Sequence, residues 1–302
     1  MRHLDAQLSV LYTQLASALA AKGVGKNDTV AVMLPNTPPM VEAHFGVAMA
    51  GAVLNALNTR LDPEAIAFML DHGEAKVVMV DVEFAATMQK ALALRQSTHP
   101  ITVIDVEDAV FDGPANSVGS MSYEALLARG DAEFAWAYPS DEWDAIALNY
   151  TSGTTGNPKG VVLSHRNLVA GARSVASYLG NTANDCVLAV LPLSFDAGLS
   201  QLTTAFSVGA SAVLMDYLLP RDVIRAVAKY EVTGLAAVPP LWNQLHSLDW
   251  PVEAISSLRY IANTGGAMPV PTTRALQKAL PDTKIFLMYG LTEAFRSTYL
   301  PP

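Results

Sequence analysis

The chain has 302 residues, 51% hydrophobic and 16% charged, a composition suited to a buried core and not to a disordered segment. Its 19 Lys and Arg against 28 Asp and Glu give a net charge of −9 with no basic stripe, so nucleic acid is not an expected partner. One cysteine, Cys186, excludes an internal disulfide and a cysteine-rich metal site.

The helix and strand signals alternate. Residues 8–22 carry apolar side chains at helical spacing and stop at Gly23, a C-cap candidate. Residues 29–34 form a short apolar strand ended by Pro35. Residues 40–50 and 63–71 read as helices, and 76–80 and 101–106 as strands. The stretch 111–140 is rich in turn signals, with one short helix at 123–129, and is the expected boundary between subdomains 1–140 and 141–302. Strands then follow at 145–150, 187–193, 211–215, 235–238, 258–263 and 284–289. Helices are expected at 167–179, 199–207, 221–230 and 271–280, and Pro239-Pro240 is read as a strand terminator. This alternation predicts an α/β fold of mainly parallel sheets flanked by helices. Cys186 leads into an apolar run and is expected to be a buried structural thiol.

No apolar stretch reaches the roughly 18 residues that a membrane span requires. The N-terminus lacks the apolar core of a signal peptide. With the cysteine usage, this gives an expected cytoplasmic location.

The most informative segment is Tyr150-Thr151-Ser152-Gly153-Thr154-Thr155-Gly156-Asn157-Pro158-Lys159-Gly160. It lies between two expected strands. Three glycines let a ligand approach the backbone, four hydroxyls interleave with them, and one lysine closes the loop. Backbone N–H groups, hydroxyl donors and a cation together suit a polyphosphate. A plain turn has a similar composition. The Walker-type loop does not fit, because Pro158 occupies the position of its second glycine and Gly160 follows Lys159.

This segment resembles the phosphate loop of the adenylate-forming superfamily, which includes acyl-CoA synthetases, peptide-synthetase adenylation domains and luciferases. Further matches fall in the family's order. Ser194-Phe195-Asp196 resembles the loop on the acyl side of the site, Thr264-Gly265-Gly266-Ala267-Met268-Pro269 the adenine-side glycine turn, and Tyr289-Gly290-Leu291-Thr292-Glu293 the Y-G-x-T-E motif. Leu34-Pro35-Asn36 and Asn58-Thr59-Arg60-Leu61 follow the family's early helices, so the likeness spans the chain. After about Leu163 it leans toward the amino-acid-adenylating branch.

The resemblance implies that ATP and a carboxylate give an acyl-adenylate, whose acyl group passes to an acceptor such as coenzyme A. Thr151, Ser152, Gly153, Thr154, Thr155, Gly156 and Lys159 would cradle the phosphates. Thr292 would contact the α-phosphate and Glu293 would hold Mg²⁺, which makes Thr292, Glu293 and Lys159 the catalytic candidates. Gly265, Gly266, Ala267 and Tyr289 would hold adenine, with Gly290 beside both nucleotide and acid. Phe195 and Asp196 would meet the acid. Asp196 would either pair with a substrate amino group, as in amino-acid-adenylating members, or cap the helix starting near Leu199. His165 is expected to be structural. The family's downstream ribose-binding Asp, its hinge and its C-terminal lid domain have no counterpart here. A fragment with little turnover, exposed apolar surface and a tendency to self-associate is therefore expected.

Overall fold

The computed structural model describes residues 2–108, 111–113, 116–151 and 157–302, with side chains from residue 8 onward. The chain forms two compact units, Met1–Arg166 and Asn167–Pro302.

The first unit comprises α1 (Arg2–Ala21), β1 (Thr29–Met33), α2 (Pro38–Met49), β2 (Val53–Ala56), α3 (Pro63–His72), β3 (Ala75–Asp81), α4 (Ala85–Leu94), β4 (Thr102–Val106), β5 (Met121–Ser122), α5 (Tyr123–Leu127), β6 (Ala145–Thr151) and β7 (Lys159–Ser164). Its seven-stranded sheet runs β5-β4-β3-β1-β2-β6-β7. Every pairing is parallel except β6 with β7. β1 and most of β3 are fully buried, as expected of strands covered on both faces. Helix starts follow local chemistry: α3 opens with Pro63 in its first turn, and the Asp62 carboxylate accepts from Ala65 N–H at 2.7 Å.

The second unit begins within α6 (His165–Leu179). It continues with β8 (Cys186–Ala189), α7 (Asp196–Phe206), β9 (Ser211–Leu214), α8 (Pro220–Lys229), β10 (Gly234–Ala237), α9 (Pro239–Leu245), α10 (Val252–Ser257), β11 (Tyr260–Asn263), α11 (Val270–Ala279), β12 (Lys284–Leu291) and β13 (Phe295–Leu300). Its six-stranded sheet runs β13-β12-β11-β10-β8-β9, and only the β12–β13 edge is antiparallel. The core gathers Leu188, Val223, Val227, Leu235, Trp242 and Ile261 between the sheet and its helices.

Several expectations need correction. Pro239-Pro240 ends β10 but also opens α9, since proline at a first helical turn loses no hydrogen bond. β8 stops at Ala189, not at 193. Beyond it the Gln201 side-chain amide of α7 takes up Leu191, donating to its carbonyl at 3.3 Å and accepting from its N–H at 3.5 Å. Cys186 is half-buried, not buried. The first unit runs past the expected boundary at 140, to Arg166, because β6 pairs with β2 and brings β7 with it. Among the described residues, no helix is long and apolar enough to cross a membrane.

Candidate functional site

The phosphate-loop segment is carried by the antiparallel β6–β7 edge of the first sheet. Thr151 and Lys159 stand opposite each other in the ladder, so the pairing fixes both ends of the loop. Ser152, Gly153, Thr154, Thr155 and Gly156 lie outside the described residues. Lys159 is exposed and pairs with no carboxylate among the described residues, which leaves its ammonium free for an anion.

The strand leading in is held from α3. The Tyr150 hydroxyl lies 2.7 Å from His72 Nδ1, and Phe68 packs edge-on against the Tyr150 ring. Burial pushes the Tyr150 phenol up to about 12, so it stays protonated. His165, just after β7, is half-buried. Burial lowers its pKa against the opposing pull of Asp144, and its backbone N–H donates to the Asp144 carbonyl at 3.2 Å. Its ring makes no hydrogen bond among the described residues, unlike the buried, hydrogen-bonded ring expected of a structural histidine.

In the second unit the Y-G-x-T-E residues form the end of the β12–β13 hairpin. Thr292, Glu293 and Ala294 make a turn closed by Ala294 N–H donating to the Leu291 carbonyl at 3.0 Å. The ladder shifts register between Tyr289 and Leu291, which places the irregularity at Gly290. A Cβ there would sit 1.8 Å from the Phe295 carbonyl oxygen, so glycine is what lets the two strands close. Glu293 is exposed with no ion pair among the described residues, and the Tyr289 ring is 63% exposed, unusual for so large an aromatic.

The Gly265-Gly266-Ala267 turn follows β11. Gly265 has φ +74, and Asn263 Nδ2 donates to the Gly266 carbonyl at 2.8 Å, clamping the turn to the strand. On the acid side, α7 starts at Asp196 itself. Phe195 occupies the cap position and makes no side-chain cap bond, so Asp196 does not cap a helix at 199. Its carboxylate lies in the first turn, where the helix dipole favours it. Phe195 is 42% exposed.

Among the described residues, no group of three or more His, Cys, Asp or Glu could hold a metal by itself. One free carboxylate at Glu293 fits a Mg²⁺ whose other oxygens come from a polyphosphate and water. Sequence reasoning missed Arg296 and Thr204, which line a cavity in the second unit. No motif marks them, because only the packing of β13 against α7 brings them together.

A family model described as "AMP-binding enzyme" matches residues 6–301. The chain belongs to the AMP-binding enzyme family. An acetate–CoA ligase of Humulus lupulus is 37% identical over 293 residues, covering 93% of this chain and 51% of that protein. A peroxisomal acetate/butyrate–CoA ligase of Arabidopsis thaliana is 35% identical over 296 residues, again 93% of this chain and 51% of that protein. The structure of VinN in complex with L-aspartate superposes with a TM-score of 0.80 at 25% identity, covering 98% of this chain and 71% of that one. The chain thus spans about half the length of the curated AMP-binding relatives it matches.

Proposed function

We propose that this chain is the nucleotide- and acid-binding part of an ATP-dependent ligase that activates a carboxylate and hands it to coenzyme A. A carboxylate oxygen attacks the α-phosphorus, the bond to the bridging oxygen breaks, and pyrophosphate leaves. The thiol sulfur then attacks the acyl carbon and AMP leaves. The observation that carries this reading is the β12–β13 hairpin end, where an exposed tyrosine ring leads into a turn bearing a hydroxyl and an unpaired carboxylate.

Tyr289 stacks on the purine, with Gly265, Gly266 and Ala267 providing a flat backbone edge. Thr292 donates to the α-phosphate. Thr151, Ser152, Gly153, Thr154, Thr155 and Gly156 donate to the outer phosphates, and Lys159 neutralises the departing pyrophosphate. Glu293 would hold Mg²⁺, which would supply positive charge to the phosphate oxygens. Gly290 lies beside the acid, with Phe195 and Asp196 facing its chain.

Two of the relatives are named for short acids, acetate and butyrate, which supports a short acid here. Because those proteins are about twice as long, turnover is proposed to need protein outside this span, including a lid domain, and the apolar surface that such a domain would cover is proposed to drive self-association. A second reading, amino-acid adenylation with Asp196 on the amino group, is supported by the half-buried position of that carboxylate in the α7 first turn and by the likeness to VinN with L-aspartate.

The test is calorimetry of MgATP binding. Lys159→Ala and Glu293→Ala should each weaken binding roughly tenfold or more, since a hydrogen bond to a charged group contributes about 1.5–3 kcal/mol. The Glu293→Ala loss should vanish when Mg²⁺ is chelated. Unchanged affinity in both variants would sink the proposal.

A further inference from the structure

A narrow cavity in the second unit has polar atoms that the described residues leave unpartnered. Its walls come from α6, β8, β10 and β12, and its polar side from Ser200 and Thr204 of α7, Tyr260 of β11 and Arg296 of β13. Its volume is about 20 Å³. That is room for a compact head group and not for a long alkyl chain.

Two buried atoms here have no partner among the described residues: Thr204 Oγ1 and Arg296 Nε. Arg296 commits its other donors weakly. Its Nη2 donates to the Ala197 carbonyl at 3.2 Å, and its Nη1 reaches the Met288 sulfur, a poor acceptor, at 2.9 Å. No described carboxylate comes within ion-pair distance of it, and Asp196 acts on it only electrostatically. Burial pulls the guanidinium pKa down, as expected when a cation leaves water without full compensation. The Tyr260 hydroxyl accepts from Asn181 Nδ2 at 3.1 Å. Thr204 Oγ1 and Arg296 Nε are the cavity's buried donors left without a partner among the described residues. An unpartnered Nε–H on a half-buried guanidinium and an orphaned hydroxyl are both costly, and one small anion accepting from both would relieve them.

We infer that this cavity is an anion subsite that takes the far carboxylate of a short dicarboxylic acid. This rests on the proposed function, in which the near carboxylate of that acid is the one activated. A methyl-ended acid gains nothing here, because its chain end would stay against a desolvated guanidinium.

The experiment is calorimetric titration of this chain with succinate and with butyrate, acids of equal carbon count that differ in the terminal group. Wild type should bind succinate about tenfold or more tightly than butyrate, the scale of one charge-assisted hydrogen-bonded contact. Arg296→Gln should abolish that preference and Arg296→Lys should keep part of it. Thr204→Val, a near-isosteric change that retains the arginine, should reduce it a few-fold. Equal affinities in wild type, no detectable succinate binding, or an undiminished preference in folded Arg296→Gln and Thr204→Val would each overturn the inference. A parallel MgATP titration separates the two readings. MgATP binding without a succinate preference leaves the proposed function standing and removes the subsite, and a succinate preference without MgATP binding does the reverse.

Discussion

Asp185→Ala should destabilise the second unit by about 3 kcal/mol, toward the lower end of what breaking a buried ion pair costs. Asp185 is only 4% exposed, yet its carboxylate accepts from Thr182 N–H at 2.7 Å, the Thr233 hydroxyl at 2.7 Å, and Arg259 Nε and Nη2, each at 3.0 Å. Arg259 also donates to the Leu179 carbonyl at 3.0 Å, so one carboxylate ties the end of α6 to the approaches of β8, β10 and β11. Alanine would leave these donors facing a hole, and Arg259 would lose its counter-ion. The Arg259 side chain keeps 36% of its surface in solvent, which limits the loss.

Burial alone would raise the Asp185 pKa. The bonds from Arg259, Thr233 and Thr182, with the charge of Arg259, outweigh it and hold the carboxyl below its usual range. A depressed folded-state pKa gives stability that is present above the unfolded value, near 3.9, and is lost as pH falls through the folded one. The wild-type advantage over Asp185→Asn should therefore shrink below about pH 4. Urea unfolding of both variants across that range measures it, and an Asp185→Ala loss under about 1 kcal/mol would show that the clip carries little.

Gly290→Ala should be as damaging and should also weaken MgATP binding. An added Cβ would lie 1.8 Å from the Phe295 oxygen, 2.7 Å from its carbonyl carbon and 3.0 Å from Arg296 Cα. All three are backbone atoms, so relief requires the strands to part, a cost of about 3 kcal/mol on the scale of severe overpacking. Parting them displaces Thr292 and Glu293, which sit on the turn. Gly266→Ala is the contrast: its Cβ would meet Pro239 Cγ at 3.3 Å, tight but adjustable, and should cost under about 1 kcal/mol. Thermal unfolding of the two variants decides it. Equal midpoints would mean that the hairpin end adapts.

The signature segments were legible because each needs a particular local chemistry. Thr151 through Lys159 combines hydroxyls, glycines and a cation, and the Y-G-x-T-E residues set a glycine beside a hydroxyl and an acid. The helices that open on proline or on a capping Asp, such as α3, and the buried strands β1 and β3 were legible for the same reason. The four-residue β2 was missed, being a strand by virtue of its neighbours β1 and β6. α4, α9, α10 and β13 were missed as well, and β13 is an edge strand whose one sheet partner is β12.

The sequence by itself determined the α/β class, the order of the motifs and the family, since these depend on residue type and spacing along one chain. Only the tertiary structure decided that both signature segments sit on antiparallel sheet edges, that Asp185 is a buried clip, and that Arg296 and Thr204 share a cavity. Those facts depend on pairings between residues tens of positions apart, where burial and the loss of water set the energies and no local pattern records the partner.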